Sequence, residues 1–134
     1  MADLGLAQAF ARYGAKLKNH QRSVCALASN GDLVVSQWCH DYELINSKTG
    51  ETTDHLSRWS GHGNRELRDA IGEAFKSGRT VRLVMAYAQD PDYVKSGGDA
   101  SKTKKTYDVK PDWIGKVVSF DGDEYVIRFR REVV

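Results

Sequence analysis

The chain has 134 residues, 40% of them hydrophobic and 28% charged, with a formal net charge of +2. That length supports one domain whose core needs no disulfide or metal staple, and that composition excludes a disordered chain. A charge so near balance does not by itself call for an anionic partner, so any nucleic-acid contact must come from local clustering of cations.

Cys25 and Cys39 are the only two cysteines, and their spacing fits no zinc-ligand pattern. No apolar run approaches the ~18 residues of a membrane span, and no basic segment followed by an apolar run opens the chain. The expectation is a single α+β domain over residues 1–134 in a reducing cytoplasm, with no metal and no cofactor implied.

Residues 3–18 read as a first helix. Leu6, Phe10, Tyr13 and Leu17 form an apolar stripe, Ala7 and Ala11 widen it, and Asp3 stands where a cap is needed. Gly14 inside it costs about 1 kcal/mol relative to Ala and marks either a close approach or an early end.

Residues 23–28 and 33–39 pair as a hairpin around Ser29-Asn30-Gly31-Asp32, because Asn-Gly between apolar runs favours a tight turn. Residues 42–46 form a third strand and Lys48-Thr49-Gly50 its turn. Residues 52–59 return beside it, completing an antiparallel meander.

A helix over residues 63–77 follows. Leu67, Ala70, Ile71, Ala74 and Phe75 share one face, Gly63 or Asn64 caps the start, and Gly78 ends it in a left-handed conformation. Residues 80–88 (TVRLVMAYA) are apolar almost throughout and read as a central strand. A Lys/Gly/Ser-rich stretch near 95–106 is expected to be an exposed, mobile loop. Residues 115–120 and 124–130 flank Asp121-Gly122-Asp123 as a second hairpin, with Tyr125, Ile127 and Phe129 on one face and Val126, Arg128 and Arg130 on the other.

Together these elements predict a mostly antiparallel, curved sheet of about six or seven strands, open or closed into a partial barrel. The N-terminal helix and the central amphipathic helix are expected to cover one face of it.

Three features could carry function. Gly61-His62-Gly63-Asn64-Arg65 opens a helix, where free N–H groups attract anions. It lacks the Gly-Lys-Ser/Thr ending of a phosphate-binding loop and the third glycine of a dinucleotide site, and a plain strand-to-helix turn also needs glycine. Trp38, His40, Tyr42, His55 and Trp59 crowd the meander and could stack a planar base or simply pack. Lys95, Lys102, Lys104 and Lys105 precede Lys116, Arg128, Arg130 and Arg131, a set that could follow a phosphate backbone or guard a solvated edge.

No catalytic residue is assigned. His40-Asp41, Asp54-His55 and Cys39-His40 are neighbours in sequence, and strand neighbours point to opposite faces.

The function expected is a small nucleic-acid-binding module. Trp38, His40 and Trp59 would stack bases, and Gly61, His62, Gly63, Asn64 and Arg65 would hold a phosphate. Lys102, Lys104, Lys105, Arg128 and Arg130 would neutralise the backbone. This requires the aromatic groups to face outward toward the helix start, with the arginines on the same side. The alternatives are a small-molecule-binding domain or enzyme with a cleft lined by His40, His55, His62 and Arg65, and a self-associating or adaptor protein anchored by Trp38 or Trp59.

Overall fold

A computed structural model describes residues 5–18, 23–96 and 104–131. In chain order its elements are α1 (Leu6–Ala11), β1 (Cys25–Leu27), β2 (Leu33–Trp38), β3 (Tyr42–Asn46), β4 (Thr49–His55), α2 (His62–Ser77), β5 (Val81–Ala88), α3 (Pro91–Lys95), β6 (Lys105–Phe120) and β7 (Glu124–Arg131). Short 3-10 turns, Cys39–Asp41 and Leu56–Arg58, follow β2 and β4. The stretch 97–103 of the expected loop lies outside the described residues.

The seven strands form one open sheet in the order β1-β2-β5-β6-β7-β4-β3. Both expected hairpins are present as antiparallel pairs, β1 with β2 and β6 with β7, and Gly31 and Gly122 take positive φ in their turns. The meander is different from the one expected. β3 and β4 do pair antiparallel, but at the far edge of the sheet, and β2 pairs instead with β5, parallel, from Leu33↔Val81 to Trp38↔Ala86. The chain leaves β2, builds that distant hairpin, and returns through α2 into β5.

β5 is central because it is apolar on both sides. Val81, Leu83 and Met85 join the core beneath α2, where Leu67, Ile71 and Ala74 meet Leu33, Val35, Tyr125, Ile127 and Phe129. Val84 and Ala86 join a second core with Ala9 and Phe10 of α1, Val34 and Tyr107. The two helices therefore cover opposite faces of the sheet, not one. Phe75, expected on the inner stripe of α2, is 43% exposed.

The first helix is six residues long, far short of the expected span, and Asp3 lies outside the described residues. Gly14, at φ 75°, turns the chain out of helix, and Ser29 N–H donates to its carbonyl at 3.0 Å. A Cβ there would sit 2.9 Å from Ser29 Oγ, so the close approach and the early end have one cause. Leu17 is buried as expected, but from irregular chain beyond the helix.

Tyr13 fixes this segment to the sheet. Its hydroxyl donates to Leu83 O at 2.7 Å and accepts from Lys110 N–H at 2.8 Å, and the Arg82 guanidinium lies 4.9 Å from its ring centre. The phenol thereby spans the irregularity between β5 and β6, where the register jumps from Val84↔Val109 to Arg82↔Ile114.

The sheet also curls on itself. Tyr125 of β7 donates to Gln37 Oε1 of β2 at 3.1 Å, although β5 and β6 lie between those strands in the sheet. None of the described helices is long and apolar enough to cross a membrane.

Candidate functional site

The place where β2, β5 and β6 meet at one end of the sheet gathers most of the unusual chemistry. Trp38 is the last residue of β2 and packs beside the α1-side core, level with Ala86 and, across β5, with Tyr107. Two residues further along the same face, Lys105 pairs with Ala88, and Lys104 O accepts from Gln89 N–H. The 3-10 turn after Trp38 then swings His40 back over the indole. The rings stack with centroids 5.5 Å apart and planes 15° from parallel. That turn is why Trp38, His40 and Tyr42 do not share one strand face.

Burial lowers the pKa of His40, and the positive charges of Lys95 and Arg58 lower it further, against Asp54 and Asp92. The imidazole is neutral in consequence. Lys95 belongs to α3, which Asp90 caps by accepting from Tyr93 N–H at 3.2 Å.

Behind the stack lies a polar cluster. Asp54 at the end of β4 accepts two bonds from Arg58, at 2.9 and 2.6 Å, and one from His55 N–H at 2.8 Å. The Asp54 side chain is 10% exposed and that of Arg58 18%. A bidentate pair this enclosed is fixed in place, and Arg58 has little freedom to serve a second anion. Asp41 stands 3.9 Å from His40 Nε2. Burial, with the negative charge of Asp54, pushes the Asp41 carboxyl up to about 6, against the pull of Arg58, Lys95 and His55. The raised Asp41 carboxyl thus changes protonation closer to neutral pH than an ordinary aspartate, beside an imidazole whose pKa is shifted down. Thr52 is wholly buried two residues before Asp54, and among the described residues its hydroxyl has no hydrogen-bond partner.

Asp41, Asp54, Arg58, Gln37 and Tyr125 lie outside the expected set. The four-residue spacing of Asp54 and Arg58 is a visible signal for that pair, since it suits a turn of helix. Nothing in the sequence announces that β7 and β2 come together around them.

The remaining predicted residues lie elsewhere. Gly61 is the N-cap of α2 at φ 117°, so neither Gly63 nor Asn64 caps it. Gly63 is buried, and Asn64 is buried with its Nδ2 donating to Leu56 O at 2.8 Å. His62 and Arg65 are exposed. Trp59 is half-buried against the core on the α2 side, the opposite face from Trp38.

Arg128 and Arg130 alternate with the buried Ile127 and Phe129 and so face away from α2, on the Trp38 side of the sheet. Arg128 donates to Glu51 at 2.6 Å. His55 engages Glu124 at 3.2 Å and Asp123 at 3.8 Å, and Lys116 Nζ donates to Gly78 O. Lys102 lies outside the described residues. The structure thus brings Trp38, His40, Lys104 and Lys105 to one end of the sheet and leaves Arg128 and Arg130 further along the same face. It does not bring Trp59 or the α2 start onto that face.

No protein-family model matches this chain, and no curated protein matches it. Among solved structures it is similar to the crystal structure of KRYPTONITE in complex with mCHG DNA and SAH, with a TM-score of 0.34 and 20% sequence identity. That likeness covers 92% of this chain and spans 24% of the solved one.

Proposed function

We propose that the protein binds nucleic acid at the end of the sheet where β2, β5 and β6 meet. In this reading the Trp38–His40 stack is the platform for a base, and Lys95, Lys104 and Lys105 neutralise phosphates. The observation that carries it is the near-parallel indole–imidazole pair, 15° between planes, standing in the field of Lys95 and Arg58. Arg130 and Arg128 extend the cationic surface along β7, with Arg128 shared by Glu51. The α2 start is left out of this surface.

The test is a titration of labelled single-stranded and duplex DNA and RNA across a salt series, followed by anisotropy and by tryptophan emission. Binding that weakens steadily as salt rises is the expected result, because each neutralised phosphate releases condensed counterions. No binding to any of the four at the lowest salt would overturn the reading.

One observation favours a second reading, a small polar ligand or a proton-transfer site around Asp41. Its carboxyl, pushed up to about 6, lies beside a neutral imidazole and the Asp54–Arg58 pair. Chemical-shift changes confined to Asp41, His40 and Arg58 on addition of small polar compounds, with no response to oligonucleotides, would favour it over the first.

A further inference from the structure

We propose that the cleft between α2, β1 and the chain after α1 binds a free α-amino acid with an apolar side chain. The site is independent of the nucleic-acid reading. It adjoins Leu33, the first residue of β2, on the α2 side of the sheet, whereas Trp38 is the last residue of that strand and packs on the α1 side.

The cleft holds about 280 Å³. α2 supplies Glu66, the β1–β2 hairpin supplies Cys25, Leu27 and Leu33, and the chain that follows α1 supplies Lys16 and Lys18. Cys25 and Leu33 belong to the core beneath α2 and form an apolar floor. Leu27 is 56% exposed, so the apolar surface continues out to solvent. Ligand pockets usually run to about 300–1,000 Å³, so this one suits a ligand of amino-acid size.

Its charges set it apart from a plain packing defect. Glu66 Oε1 is buried, and among the described residues no hydrogen-bond partner reaches it. A buried carboxylate oxygen without a donor is costly, and beside a cavity it calls for a donor from outside the chain. Lys16 and Lys18 line the same cleft, yet neither satisfies that oxygen. Burial, with the negative charge of Glu66, pushes the Cys25 thiol up to about 12, against the pull of Lys18. Both charges are therefore within electrostatic reach of one sulfur on the floor.

These groups select the ligand. An ammonium donates to Glu66 Oε1, a carboxylate meets the lysines, and an aliphatic or aromatic side chain covers Cys25, Leu33 and Leu27. A simple anion would leave the glutamate oxygen without its donor, and a simple amine would leave the lysines without a counter-charge. Donor, anion and apolar group within one small molecule describe an α-amino acid.

NMR shifts of amide and methyl groups during titration with L-leucine, L-methionine and L-phenylalanine test the proposal. Saturable shifts at Cys25, Leu27 and Leu33 with at least one of them are the expected result. For the tightest binder, the amino alcohol lacks the carboxylate and the desamino acid lacks the ammonium, and each should bind about tenfold more weakly or worse. Glu66→Gln should lower affinity by a similar factor with a Tm no lower than wild type, and so should Lys16→Met combined with Lys18→Met. No saturable shift with any of the amino acids at millimolar concentration overturns the proposal. An affinity that either analogue matches, or that Glu66→Gln leaves unchanged, overturns it as well.

Discussion

Tyr125 and Gln37 join two strands that are not neighbours in the sheet, the phenol donating to the side-chain carbonyl at 3.1 Å. Both residues are buried, at 1% and 4% exposure, so no water stands ready to replace either partner. Burial raises the phenol pKa well above its ordinary value and keeps it a donor. Tyr125→Phe retains the ring and leaves Gln37 Oε1 without its donor, which should cost about 1–3 kcal/mol in urea unfolding. An unchanged midpoint would mean that the curl does not depend on this bond.

Gly115 gives a sharper test of the same core. It lies opposite Phe129 in the β6–β7 ladder, and a Cβ there would fall 2.5 Å from the ring's Cδ1 and 2.6 Å from Cε1. Phe129 is completely buried and cannot swing away. Gly115→Ala should destabilise by about 1–3 kcal/mol through overpacking, although alanine suits a strand better than glycine does. A stabilised variant would contradict that fit.

Asp41 makes a prediction about pH. Its carboxyl rises from an ordinary 3.8 to about 6 in the folded protein, chiefly by burial and then by Asp54. Between those values the folded state keeps a proton that the unfolded chain has released. Stability from this group therefore falls as pH rises through the interval, and it is fully lost above about 6. His40 acts in the opposite sense. Its pKa is lowered from 6.5, so the unfolded chain binds the proton more readily and stability rises with pH through the window below 6.5. Asp41→Asn should gain on the wild type progressively as pH climbs from about 4 to about 6, then run parallel to it. His40→Gln should remove the rising component alone. Thermal unfolding across that range measures both, and a pH-independent difference between Asp41→Asn and wild type would contradict the buried-carboxyl account.

What is legible in the sequence is local. Gly31 and Gly122 mark their hairpins because only a few residues tolerate those backbone angles, and β5 reads as central from an apolar run that only Arg82 interrupts. The start of α2 is harder to place, because Asn64 resembles a cap while its amide is committed to Leu56 O. The parallel partner of β2 is not legible. Hydrophobic alternation tells which face a strand buries but not which strand lies beside it, and β3 and β4 intervene in the chain without intervening in space. The site suffers most from this. Trp38, His40 and Tyr42 read as one strand face until the turn over Cys39–Asp41 rotates them apart. Asp41 acquires its shifted carboxyl from burial and from Asp54 on β4, the hairpin partner of the strand that follows it, which no local pattern announces.

The nucleic-acid reading stands or falls on how two kinds of substitution separate. Lys104→Glu with Lys105→Glu should weaken oligonucleotide binding and flatten its salt dependence, by about 0.9 in the log–log slope for each duplex phosphate left without its cation. His40→Ala removes half of a ring stack whose planes lie 15° apart and leaves those cations in place, so it should lower affinity while keeping the slope. Arg65→Glu, exposed on α2 across the sheet from Trp38, should change neither quantity. Equal sensitivity to Arg65→Glu and to the double lysine variant would mean that binding follows net charge alone. In that case the end of the sheet where β2, β5 and β6 meet would have no particular claim to the ligand.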